Sequence, residues 1–279
     1  MKIFISADLE GATGVVAGVQ TDAEEKEYAF GCKMQTHDVK AVVAGALDAG
    51  ADEILVNDSH DGMINIPVDG LGFDSRVRLL SGSSKTLSMV EGLENASGAF
   101  FVCYHAKAGT ARAILDHTIS GGVVYSIFLN GKEMGETGLN AAVCAQKGVP
   151  LALVTGDAAV CAEARELLGD SLVTASVKEA RGRMAAVCLL PEESEQVLRK
   201  AAALAVERIR EGVAPKLNTG NGTFDLRLTF HTSLQCDRAA VLPGVERLDG
   251  RTLRVIGSDM AVMRRWTVSL IALGRGSGK

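Results

Sequence analysis

The first eleven residues constrain this chain more than any other segment. An apolar run, Met1 to Ile5, gives way to Ser6-Ala7-Asp8-Leu9-Glu10-Gly11. The pattern predicts a short buried strand that ends in two carboxylates and a glycine turn. Carboxylates are rarely buried beside a core strand unless something compensates their charge. A strand with this ending suits an open α/β sheet, in which clefts form beyond the carboxyl ends of the strands. A cation held in such a cleft is the compensation that Asp8 and Glu10 call for.

The rest of the chain alternates strand and helix. Residues 1–7 read as a strand, 21–49 as a helix stopped by Gly50, and 53–57 as a second strand before the polar turn 58–62. Residues 76–81 and 99–104 are further strands, and 123–129 with 132–134 form a hairpin about Asn130-Gly131. A helix is expected at 138–146, a strand at 151–155, a helix at 158–168 and another from Pro191. Strands near 225–230 and 252–256 and a helix at 258–273 complete the pattern. The fold class is α/β: a mostly parallel central sheet with helices on both faces, plus a smaller C-terminal α+β portion. The polar segment 218–223 is the candidate boundary, dividing an α/β core, 1–217, from a C-terminal part, 218–279, packed on it. A single domain is the alternative.

A net charge of −5 offers no bulk attraction for nucleic acid or for an anionic membrane. No apolar stretch reaches the ~20 residues that span a bilayer. The six cysteines are scattered without a C-x-x-C pair, which argues against a thiolate zinc site and a disulfide framework. With no leader pattern ahead of the first strand, a cytoplasmic location is expected.

The polar residues fall at strand ends. Asp8 and Glu10, His60 and His105 each follow a predicted strand, so a parallel sheet brings them to one edge. Read singly, each has a plainer role. Asp8 and Glu10 suit a turn, His60 can cap backbone with Asp58 and Ser59, and His105 can be a satisfied strand-end histidine. His37 reads as a helix-surface residue and His231 as an ordinary one. Their convergence at one sheet edge weighs toward metal. Imidazole with carboxylate and no thiolate suits Zn²⁺, with Mn²⁺ or Co²⁺ as alternatives. The donors outnumber what one ion needs, and a carboxylate can bridge two ions ~3.5–4 Å apart, as hydrolytic sites do.

Five ordered motifs carry a resemblance. They are Asp8-x-Glu10-Gly11, Asn57-Asp58-Ser59-His60, Ser88-Met89-Val90-Glu91-Gly92-Leu93, Tyr104-His105-Ala106 and Gly135-Glu136-x-Gly138-Leu139-Asn140. Together they resemble the zinc D-aminopeptidases of the DppA type, the dipeptide-operon family of metallopeptidases. The resemblance runs to about Leu190, through Val154-Thr155-Gly156-Asp157, and fades beyond Pro191. It implies two zinc ions per subunit, with Asp8, Glu10, His60, His105 and Glu136 as ligands and Asp8 as the bridge. It implies His117 as the catalytic residue, either the nucleophile or a general acid and base. It implies release of N-terminal D-amino acids, of D-alanine type, from short peptides. It also implies a homo-oligomeric ring, a decamer. The chain departs from the family at Cys103, where glycine stands before Tyr-His, and at Asp116, where serine precedes the histidine.

Glu133, three residues before Glu136, is a rival ligand; Glu136 is preferred because it opens a helix while Glu133 belongs to the hairpin. Asn57, Asp58 and Asn140 are candidates to orient the ligands from behind. Two other readings compete. One is a dinuclear hydrolase of another small amide or ester. The other is a non-catalytic ligand-binding or scaffold protein. Nucleotide binding is disfavoured, since no G-x-G-x-x-G follows the first strand.

Overall fold

The computed structural model describes residues 1–220 and 222–276; Asn221, in the expected boundary loop, and residues 277–279 lie outside it. In chain order the first elements are β1 (Lys2–Ala7), α1 (Tyr28–Asp48), β2 (Glu53–Asp58), β3 (Val77–Leu80) and β4 (Gly98–Tyr104). A hairpin, β5 (Val124–Leu129) and β6 (Lys132–Glu133), leads into α2 (Glu136–Gln146), β7 (Leu151–Asp157) and α3 (Ala158–Leu168). Then come β8 (Val173–Gly182), β9 (Ala185–Cys188) and α4 (Pro191–Arg210). The chain continues with β10 (Phe224–Phe230), α5 (Ser233–Ala239), β11 (Glu246–Arg247), β12 (Thr252–Gly257) and α6 (Met260–Arg275).

Seven strands form one sheet in the order β3-β2-β1-β4-β7-β8-β9, parallel except for β9. Alternation along the strands sorts the core into two layers. Ile3, Ile5, Phe100 and Val102 pack with Val39, Val42, Leu198 and Ala202 of α1 and α4. Phe4, Phe101 and Val154 face the other way, toward Leu139, Val143, Val160 and Ala164 of α2 and α3. Helices therefore cover both faces of a mostly parallel sheet, as the sequence predicts.

A second, antiparallel sheet has the order β11-β12-β10-β5-β6. Its middle joins β10 from late in the chain to β5 of the early hairpin, with Leu228 opposite Ile127. The Asn130-Gly131 turn has φ of 51° and 80°, both positive, as the hairpin reading requires.

Strand order reverses between β1 and β4, and a cleft opens there beyond their carboxyl ends. Two glycines make that edge compact. A Cβ on Gly11 would lie 2.1 Å from the Tyr104 carbonyl oxygen, and one on Gly156 would lie 2.0 Å from the same atom. Neither neighbour is a side chain that can swing away. Gly11→Ala is expected to cost about 3 kcal/mol of stability by forcing β1 and β4 apart. Thermal melting checks this; an unchanged Tm would contradict the close approach.

The β4 end is bent as well. Phe101 pairs with Val154 and Tyr104 with Gly156, so β4 carries one residue more than β7 over that span. Cys103 sits in this bulge with φ of 61°. That left-handed conformation favours glycine, the residue the resemblance places there. The bulge turns the chain so that His105 follows Tyr104 into the cleft.

Candidate metal centre

Each expected ligand reaches the cleft from a different element. Asp8 and Glu10 lie in the loop after β1, His60 just after β2, His105 just after β4, and Glu136 on the first turn of α2. His60 Nδ1 lies 3.3 Å from Asp8 Oδ1 and 3.1 Å from Glu10 Oε2. His105 Nε2 lies 3.5 Å from Asp8 Oδ2 and 3.2 Å from Glu136 Oε1. His117 Nε2 is 3.8 Å from that same Glu136 oxygen, and its ring stacks on His105 with centroids 4.0 Å apart. The donors fall into two groups, Asp8-Glu10-His60 and His105-His117-Glu136, each with donor atoms within 4.8 Å of one another. Asp8 belongs to the first and turns its other oxygen to the second.

Closeness has not made these atoms hydrogen-bond partners. Asp8 Oδ2, Glu10 Oε2 and His105 Nε2 are buried without one. Buried polar atoms seldom go unpaired. Three such atoms in one pair of adjoining donor groups, all oxygen or imidazole nitrogen, fit a divalent cation of the zinc type.

The imidazoles are held from behind by backbone carbonyls. His60 Nε2 meets the Thr21 carbonyl at 2.7 Å, His105 Nδ1 that of Ala106 at 3.0 Å, and His117 Nδ1 that of Leu115 at 2.8 Å. A ring nitrogen that donates to a carbonyl leaves the lone pair on the other nitrogen. In all three rings that other nitrogen faces the carboxylates.

Asp58 does not orient the His60 ring. Its carboxylate accepts from the backbone N–H of Asn65 and Ile66 at 2.5 and 2.8 Å and from the Asn65 side chain at 2.7 Å. Asn65 also donates to the His60 carbonyl at 2.8 Å, so Asp58 shapes the loop rather than the ring. Asn57 donates to the Ser88 carbonyl at 3.0 Å and accepts from Lys85 Nζ at 2.6 Å. Asn140 donates to Tyr104 Oη at 3.1 Å, which continues through Ser6 Oγ to Ser59 Oγ at 2.7 and 2.9 Å. Glu133 stands apart on β6, ion-paired with Lys107 at 3.5 Å.

Sequence reasoning missed Lys178. Its ammonium is buried and donates to the carbonyls of Glu10, Ala12 and Val15 at 2.6, 2.7 and 2.5 Å. It thereby pins the loop that carries both carboxylates. Burial pulls its pKa down to about 8. Arg264 of α6 was missed too. It lines the cavity of about 520 Å³ that contains Asp8, His60, His117 and Glu136.

Without a cation the centre is a charge conflict. Burial, and then the charge of Glu10, push Asp8 up to about 7. Burial also works to raise Glu10 and Glu136, but the facing histidines win, taking Glu136 down to about 2 and Glu10 well below the carboxylate range. His60 and His105 are driven well above the ordinary range by the carboxylates, against burial. His117 goes the other way: burial and the charge of His105 lower it.

Comparison with known proteins shows the family to which the chain belongs. A family model described as D-aminopeptidase, a peptidase family, matches residues 1–269. The chain belongs to the D-aminopeptidase family. It is 34% identical over 253 residues to a D-aminopeptidase of Bacillus subtilis (strain 168), covering 90% of this chain and 89% of that protein. A solved structure described as the Zn-dependent D-aminopeptidase DppA from Bacillus subtilis, a self-compartmentalizing protease, superposes with a TM-score of 0.93. That pair shares 31% identity, and the match covers all of both chains. Family membership makes the chain a metallopeptidase-type hydrolase and leaves no support for the scaffold reading.

Proposed function

We propose that the protein is a zinc-dependent aminopeptidase that releases N-terminal D-amino acids, of D-alanine type, from short peptides at a centre of two ions per subunit. The observation that carries this reading is Asp8, whose two oxygens face histidines of two separate donor groups. Asp8, Glu10, His60, His105 and Glu136 would hold the ions, Asp8 as the bridge. When bound, such ions polarise a peptide carbonyl and lower the pKa of water.

His117 handles the proton. Its Nδ1–H is committed to the Leu115 carbonyl, and its low pKa keeps Nε2 unprotonated near neutral pH. Nε2 can then take a proton from the attacking group and return it to the departing amine. The backbone carbonyls of Thr21, Ala106 and Leu115 keep the three rings in one tautomer throughout.

The same reading places the protein in the cytoplasm, where its six free thiols stay reduced. No helix among the described residues is long and apolar enough to cross a membrane. It also makes the protein a homo-oligomer, for which we propose the ring of ten that the sequence resemblance implies; the similar solved structure is described as self-compartmentalizing. Ile64, Val68 and Phe73, all strongly exposed on the β2–β3 loop, are apolar surface that subunits would bury.

Zinc-loaded protein assayed on paired D- and L-alanyl peptides tests the activity. Release of D-alanine in preference to L-alanine is expected; cleavage of neither, or of the L series alone, would refute it.

Metal uptake has a pH signature. Asp8, near 7, and the two histidines held above the ordinary range must lose their protons before they ligate. Zinc binding at pH 6.5 should therefore release about two or three protons, and zinc affinity should fall as pH drops through 7. Calorimetry in buffers of different ionisation enthalpy reads this directly; zinc binding without proton release would contradict the ligand set.

A further inference from the structure

The cavity beside the metal centre has a wall that the proposed chemistry does not use. Arg264, Val268, Ile271, Ala272 and Arg275 of α6 line it. Their spacing puts them on one face of the helix. Arg264 is only 2% exposed. Among the described residues its Nε alone has an acceptor, Asn140 Oδ1 at 3.3 Å, and Nη1 is buried with none. A guanidinium does not shed its proton to escape burial. An unpaired one is costly, and its fork geometry matches a carboxylate.

Among the described residues no carboxylate pairs with Arg264. Glu136, the nearest acidic influence on Arg264, is already engaged with His105 and with the Ile119 N–H, which donates to it at 2.7 Å. Arg275 does not substitute for Arg264. It lies about 16 Å further along the helix axis and donates to Ser120 Oγ at 3.3 Å.

A short peptide carries one anion, its C-terminal carboxylate. In a dipeptide whose first residue sits at the metals, that group lies one residue beyond the scissile bond. We propose that Arg264 binds the free C-terminal carboxylate of the substrate. The inference rests on the aminopeptidase reading. Val268, Ile271 and Ala272 then form an apolar wall suited to a small second side chain.

The test compares D-Ala-D-Ala with its C-terminal amide, using zinc-loaded full-length protein and its Arg264→Met and Arg264→Lys variants. Wild type should favour the acid over the amide by about 30- to 100-fold in kcat/KM, mostly through KM. In R264M that preference should collapse to within about 3-fold, because the acid loses far more than the amide. R264K keeps the charge without the fork and should fall between. Should R264M not fold, judged by circular dichroism and zinc content, R264K decides: an undiminished preference refutes the inference. An equal loss on both substrates, or no preference in wild type, also refutes it. Wild type that cleaves neither substrate refutes the aminopeptidase reading, and this inference with it. Wild type that cleaves both equally well refutes only the role of Arg264.

Discussion

Asp8→Asn is expected to strip the protein of both ions and to lower kcat by about 1,000-fold or more, since the electrostatic help of such ions is worth several kcal/mol and each 1.36 kcal/mol is tenfold in rate. The reason is geometric. Asp8 Oδ1 and Oδ2 face His60 and His105 respectively, so one side chain serves both donor groups. An amide is a weaker ligand at either position. The metal-free protein should respond in the opposite sense. Asp8 is pushed from 3.8 to about 7 when folded, so the folded state holds its proton more tightly than the unfolded chain does. The stability this contributes is complete below pH 3.8 and is lost as pH rises through 7. At pH 8 an ionised Asp8 therefore burdens the metal-free fold, and asparagine, which is neutral, lifts that burden. Melting with and without zinc separates the two effects: D8N should raise the metal-free Tm by a few degrees and abolish the rise that zinc gives wild type. Full zinc content in D8N would remove Asp8 from the centre.

His117→Ala is expected to reduce turnover by about 1,000-fold while the ions stay bound. His117 differs from its stacked neighbour His105 in ways that point to proton transfer rather than to ligation. Its Nε2 stands 3.8 Å from Glu136, outside hydrogen-bond reach, whereas His105 Nε2 is 3.2 Å away. Burial and the charge of His105 lower its pKa, while the carboxylates raise that of His105. A ring that stays neutral beside a cationic centre can accept a proton at near-neutral pH. The acid limb of the kcat profile should accordingly fall below the ordinary histidine range. Zinc analysis beside steady-state kinetics checks the pair of expectations. A loss of zinc that tracks the loss of turnover would make His117 a ligand, and normal turnover would remove it from the reaction.

The convergence of Asp8, His60 and His105, three of the proposed ligands, was legible because each follows a strand of strong apolar pattern. Asp8, His60 and His105 follow β1, β2 and β4, which are adjacent in the sheet, so the carboxyl ends meet without further information. Glu136 was legible from its glycine-flanked motif, although α2 begins at Glu136 itself rather than at Gly138. The first helix begins at Tyr28 instead of residue 21. The polar residues before it form turns, and one of them, Thr21, supplies the carbonyl that holds His60.

What was hidden is mostly non-local. Neither β8 nor β9 was expected, nor the short α5. Lys178 lies on β8 at a bulge: Ser176 pairs with Gly156 and Lys178 with Asp157, leaving Val177 extra. The bulge reverses the inward parity and turns a lysine into the core, which a period-2 reading cannot show. The second sheet was hidden for a related reason, since β5 and β10 are almost a hundred residues apart and antiparallel pairing leaves no mark on either strand alone. Arg264 was hidden because only the packing of α6 over the cavity shows that it is buried there. Asp58 misled because nearness in sequence to His60 suggested a ring contact. The loop folds so that Asp58 caps Asn65 and Ile66 instead.

Anomalous scattering at the zinc edge, from crystals of the zinc-loaded protein, tests the central claim most directly. Two peaks about 3.5–4 Å apart are expected, with Asp8 bound to both, His60 and Glu10 on one side, and His105 and Glu136 on the other. A single peak, or a pair that leaves Asp8 uncoordinated, would contradict the two-ion centre.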